Sequence, residues 1–289
     1  MRSNNPVFSR SEEFNRANAY GNMTYGGNGA PYQGYGAPQQ PVNEYGAPVA
    51  PPAQKTGRMT IDSVVQSTAI TLGIVLVTAA ATWILTPAVE SEEAVGTLTL
   101  ALLLGSGAAF ILSLVNSFKR IVSPALVMAF AVAEGVALGA LSKFYDAVFG
   151  VENADFGGIV VQAVVGTFAA FAGTLAAYKF FNIQVGQKFR TFVIAAMFGM
   201  VALSLMELVL GLFGSQLGLF EFGGLGLVFS IVGLVLGVFM LILDFDFIEQ
   251  GIRNGLPERE SWRASFGLLV SLVWIYTNLL RILAILQQD

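Results

Sequence analysis

The chain has 289 residues, of which 55% are hydrophobic and 12% charged, with a formal net charge of −4 and neither cysteine nor histidine. The missing residue types exclude disulfides, thiol nucleophiles, zinc or haem sites built on them, and histidine-dependent triads. Uncharged apolar runs of roughly eighteen residues or more recur, so the chain reads as an all-α polytopic membrane protein rather than a soluble domain.

Residues 1–58 are a different material. They hold seven of the ten prolines together with many Gly, Tyr, Gln and Asn residues, and repeat Tyr-Gly-Ala-Pro at Tyr35 and Tyr45. Such a segment cannot bury enough apolar surface to fold, so a disordered cytoplasmic tail is expected, with a tyrosine-rich binding segment as its functional alternative. It lacks the apolar core and cleavage site of a signal peptide and is expected to stay attached. Residues 59–289 form the second unit, a transmembrane domain.

Seven apolar segments follow, at about 62–85, 95–117, 122–142, 158–178, 190–213, 224–247 and 263–286, each near the length that crosses the hydrocarbon. Only as helices can segments this apolar satisfy their backbone hydrogen bonds there. Lys55, Arg58, Lys119, Arg120, Lys179, Lys188, Arg190, Arg253, Arg259 and Arg263 all fall on one side of this seven-helix bundle. The other side carries Glu90, Glu92, Glu93, Asp146, Glu152, Asp155 and Glu221 with a lone Lys143. The positive-inside rule then puts the N-terminus in the cytoplasm and the C-terminus outside.

Charges inside the spans are the functional candidates, because an acid at depth is costly and usually faces protein or an ion path. The third span holds Glu134 beside Gly135 and Gly139, and the fifth holds Glu207 on a stripe with Ser204, Gly211 and Gly214. The sixth holds Asp244 and Asp246. Gly226, Gly233, Gly237 and Asp244 are spaced by seven, four and seven residues, which at about 100° per residue makes one narrow stripe that a neighbouring helix can approach closely. Asp246, rotated by about 200°, cannot share that face. On the seventh span Gly267, Ser271, Trp274, Asn278 and Arg281 lie within about 80° and should also turn inward. Blander readings stand beside these. Glu207 and Arg281 would neutralise each other as a packing pair, Asp246 and Glu249 would be interface acids near Arg253, Glu134 would hydrogen-bond a neighbouring helix in its protonated form, and Trp274 and Tyr276 would pack. No lysine lies in the seventh span, so a retinal-type Schiff base is unavailable there.

Four stretches, in order, carry a family resemblance. Ser123-Pro-Ala-Leu-Val-Met-Ala-Phe-Ala-Val-Ala-Glu-Gly-Val-Ala-Leu-Gly139, Gln162-Ala-Val-Val-Gly-Thr167, Asp244-Phe-Asp-Phe-Ile-Glu249 and Asn278-Leu-Leu-Arg-Ile-Leu283 resemble the third, fourth, sixth and seventh helices of the Bax inhibitor-1/YccA (TMBIM) family. The Asn5-Pro-Val-Phe-Ser-Arg10 start and the Gly/Tyr/Pro tail look like its actinobacterial branch. The resemblance implies a central sixth helix wrapped by the others and, in bacterial members, a pH-sensitive calcium leak of the cytoplasmic membrane, controlled by an acid on helix 6 paired with one on helix 7. Asp244 matches the helix 6 acid. The helix 7 acid would lie ten residues before Arg281, where this chain has Ser271. A carboxylate and a serine do not share a proton as two carboxylates do, so either Asp246, Glu134 or Glu207 substitutes or the pH gating is lost.

The leading expectation is a cation pathway for calcium, with Asp244 as gate and sole candidate metal ligand, Glu134, Glu207 and Asp246 along the path, and Ser271 and Arg281 facing it. Its partners are the bilayer and cations, not nucleic acid, with no cofactor. The alternative is a non-transporting interaction or stress-response protein acting through its tail and cytoplasmic loops. No nucleophile and base are paired, so an enzyme is not expected.

Overall fold

A computed structural model describes residues 57–89, 91–150, 158–181 and 183–288, with Glu92 described by its backbone alone. The tail expected over residues 1–58 lies outside the described residues except for Gly57 and Arg58. Seven helices follow in order: α1 (Ile61–Leu85), α2 (Glu92–Phe118), α3 (Pro124–Phe149), α4 (Gly158–Phe180), α5 (Gln187–Leu212), α6 (Gly224–Arg253) and α7 (Glu260–Leu286). All seven are long and apolar enough to cross a membrane.

Local chemistry sets several helix starts. Thr60 accepts from the Ser63 amide at 3.1 Å while Ser63 Oγ accepts from the Thr60 amide at 2.9 Å, a reciprocal cap on α1. Ser91 caps α2, and Pro124 opens α3 where its missing N–H is no loss. Within the spans, Thr78, Thr82, Thr167 and Thr174 donate to carbonyls four residues back, which keeps their hydroxyls satisfied away from water.

Several ends run further than hydropathy implies, and at two of them, on α3 and α7, a cation is buried or half-buried and held by the protein. α3 continues from the expected 142 to Phe149 because Lys143 reaches the C-terminal carbonyls of α1, bonding Trp83 O at 2.8 Å and Thr86 O at 2.5 Å. α7 starts at Glu260, so Arg263 is helical and buried. It pairs with Glu260 at 2.9 Å and donates to Arg120 O at 2.9 Å.

The centre of the bundle is α7, not α6 as the resemblance implied. α7 packs against α1, α3, α4 and α6, whereas α5 rests on α6 alone and α2 on α3 alone. α7 buries Ala264, Leu268, Leu272, Ile275, Leu280 and Ala284 along its length. The outer helices turn large apolar side chains such as Leu104, Phe110, Phe198 and Leu208 away from the protein, the surface a bilayer covers.

The loops rich in cations meet at one end. Met59 N donates to Leu256 O and Glu258 N to Gly57 O, both at 2.7 Å, and Ser63 and Ser261 share a hydrogen bond of 2.6 Å. The segment entering α1 is thus clasped to the α6–α7 turn, with Met59 buried against Gly251.

Candidate functional site

The glycine stripe of α6 is the seam with α7. At Gly237 an added Cβ would lie 2.6 Å from Ile275, and at Gly233 it would collide with Asn278. Trp274 Nε1 donates to Gly233 O at 2.8 Å, and Asn278 Nδ2 to Trp274 O at 2.8 Å. Gly226 lies against Glu221 O and the Arg281 guanidinium. The face read from Gly267 to Arg281 therefore does turn inward, against α6 throughout.

Asp244 continues this stripe. Ser271 Oγ donates to its Oδ2 at 2.5 Å, and Gly267 leaves room for Oδ1, since a Cβ there would come within 3.1 Å. Half-buried, Asp244 lines a cavity of about 510 Å³ between α5, α6 and α7 that also touches Ser117 at the end of α2. Met197, Val201 and Val270 give it apolar walls, while Arg190 and Gln250 line it nearer the basic end. Asp244 is nine residues from the end of α6, about 14 Å by helix rise. Beyond it, Leu241 and Ile275 are fully buried and the glycine seam closes. The carboxyl thus lines this cavity partway along it, since Met240 and Val201 continue the lining past Asp244, away from the basic end, while the α6–α7 side is closed by the glycine seam.

Asp246 does point elsewhere, but its partner is Arg190 of α5 rather than Arg253. The ion pair is 2.6 Å long, and Gln250 Nε2 donates to the same oxygen at 2.7 Å. Arg253 instead pairs with Glu249, which accepts from Tyr178 Oη at 2.7 Å. The α6 acids therefore divide between the α7 seam (Asp244) and the α5 and α4 sides (Asp246 and Glu249).

Glu207 and Arg281 do not bond each other. Both grip the α5–α6 connection: Glu207 accepts from the amides of Leu217 at 2.9 Å and Gly218 at 3.1 Å, while Arg281 donates to Leu219 O and Glu221 O and stacks over Phe220. The Glu207 stripe is not a helix seam, because α5 ends at Leu212, a Cβ on Gly211 would meet nothing, and Gly214 sits in the turn at φ +73°. Glu134 is half-buried on α3 and does not line the Asp244 cavity; among the described residues no side chain hydrogen-bonds to it. Nor do three or more acids converge among the described residues.

Arg190 and Gln250 were the residues sequence reading missed. Gln250 was within reach, since it stands four residues after Asp246 on the same helix face. Arg190 had only its place near a helix start, which it shares with cations that do nothing similar.

Fold and site together define a polytopic helical membrane protein that holds a carboxyl group between its sixth and seventh spans. The chain belongs to the Bax inhibitor 1 like family, whose family model matches residues 5–288. Comparison with curated proteins returns no match.

Proposed function

We propose that this protein is a non-enzymatic cation pathway of the bacterial cytoplasmic membrane that passes calcium, with the basic end and the N-terminus in the cytoplasm. The observation that carries the reading is an acid within a span, Asp244, lining a cavity that reaches the basic end at Arg190 and Gln250. An acid that only packed would need no space beside it. A single carboxyl group with one oxygen engaged by Ser271 cannot provide the six to eight oxygens of a storage site for calcium, which suits a cation that visits and leaves. The Arg190–Asp246 pair, with Gln250, stands at the mouth of that cavity and acts as its cytoplasmic gate. The α6–α7 glycine seam is the second closure, so this conformation is shut.

The test is calcium flux into liposomes loaded with a calcium dye. Wild-type protein should exceed empty vesicles, and Asp244→Asn should change the rate. Flux equal to that of empty vesicles and indifferent to Asp244→Asn would refute the proposal.

A further inference from the structure

A second cavity, of about 520 Å³, lies on the far side of α7 between α1 and α4, two helices that make no close backbone contact. Its back wall is α7 and its side is α3. Leu76, Ile84, Val161 and Phe168 stand along its rim and are exposed on the membrane-facing surface of their spans. The approach to it is therefore from the bilayer, and its contents must suit an apolar lining.

Its length matches one leaflet. The α1 residues that line it run from Leu72, near the middle of that helix, to Ile84 at its end, about 18 Å by helix rise. A hydrocarbon core of about 30 Å gives about 15 Å per leaflet.

Apart from Thr167, midway along α4 with its hydroxyl spent on Ala163 O, the polar lining gathers toward the end where α3 terminates. There Ser142 and Tyr276 share a hydrogen bond of 2.6 Å, and Ser142 spends its own proton on Leu138 O, so both hydroxyls are satisfied internally. Lys143 is committed to the end of α1. The remaining polar group is Asp146, half-buried, lining the cavity three residues before α3 ends. Among the described residues no cation pairs with it, and the following residues 151–157 contain Glu152 and Asp155 but no Lys or Arg.

We propose that the groove between α1 and α4 binds one acyl chain of a bilayer phospholipid bearing an amine headgroup, with the ammonium beside Asp146. Length, the apolar lining open to the bilayer and the single acid at the interfacial end select this occupant. Lys143, one turn before Asp146, has its three protons on Trp83 O, Thr86 O and Thr86 Oγ1 and none left to donate to a phosphate, whereas the Asp146 carboxylate is open to an ammonium.

The full chain, reconstituted in bilayers of equal parts phosphatidylethanolamine and phosphatidylglycerol with matched chains, is released into detergent and weighed by native mass spectrometry. One retained phosphatidylethanolamine per chain is expected, favoured about fivefold over phosphatidylglycerol, the upper range for a partly exposed ion pair. Asp146→Asn should keep a lipid but lose the preference. Val164→Phe and Ala80→Phe, which fill the groove, should lose the lipid while circular dichroism and monodispersity stay unchanged. Equal retention of both lipids, retention undiminished in both filling variants, or a lipid-free dimer would overturn the proposal. A variant that fails to fold is replaced in the comparison by Asp146→Asn, which leaves the packing intact. Calcium flux is not part of the readout, so the outcome is independent of the pathway proposed above.

Discussion

Gly237→Ala tests whether the α6–α7 seam closes the pathway. The new Cβ would stand 2.6 Å from Ile275 Cγ1 and 3.1 Å from Trp274 Cδ1. Carbon pairs are at ease near 3.5–4.0 Å, so the helices must separate locally by about 1 Å or Ile275 must leave its rotamer. Ile275 is fully buried, and such overpacking costs about 1–3 kcal/mol. The gain in helix propensity from glycine to alanine offsets about 1 kcal/mol, leaving a net loss of about 0–2 kcal/mol. The propensity gain is common to the closed and open states, so the full strain of about 1–3 kcal/mol is released when α6 and α7 part, and about five- to 140-fold more open state is expected at 1.4 kcal/mol per decade. Gly73→Ala and Gly199→Ala are the controls, since a Cβ at either meets nothing within 4 Å. Thermal unfolding in detergent should rank Gly237→Ala below both controls, and its calcium leak in liposomes should exceed theirs. Should Gly237→Ala match the controls in both assays, the seam is not a closure and the reasoning fails.

The remaining expectations concern the two ends of the bundle. Arg190→Ala leaves Asp246 without its cation at a site where the two side chains are only 22% and 12% exposed, which should cost about 1–3 kcal/mol in thermal unfolding and raise basal flux. Combining it with Asp246→Ala should recover part of that loss, and strict additivity would argue against the pair. Glu207→Ala strips the Leu217 and Gly218 amides of their acceptor, at about 1.5–3 kcal/mol, and hydrogen exchange should quicken over residues 214–223 while the rest of the chain is unaffected. Since the chain has no cysteine, single cysteines at Lys188 and Leu217 report orientation directly. An impermeant thiol reagent applied to intact cells should label only the second, and the reverse labelling would invert the proposed topology.

How far the site was legible depended on whether its geometry is internal to one helix. The spacing of Gly226, Gly233, Gly237 and Asp244 put them on one face before any neighbour was known, because helix periodicity is a property of a single segment. The same rule separated Asp246 from Asp244. The rule could not say which helix answers each face. Asp246 stands seven residues from Arg253 in sequence yet bonds Arg190, and Glu207 and Arg281 hold a loop rather than each other. Lys143 and Arg263 appeared to mark helix ends, but each is helical because protein carbonyls accept its protons where hydropathy assumes lipid or water.

Composition and periodicity by themselves determined the number of spans, the grouping of cations at one end and the shared face of the α6 glycines and Asp244, since each follows from what a single segment exposes to hydrocarbon. Only the tertiary structure decided that α7 is the central helix, that Ser271 meets Asp244, that Arg190 stands at the cavity mouth and that α1 and α4 leave a groove between them. Those depend on how helices rotate and tilt against one another, and many rotations bury a similar apolar area. Packing of glycine against Ile275, Trp274 and Asn278 selects among them, and that choice is made between segments rather than within one.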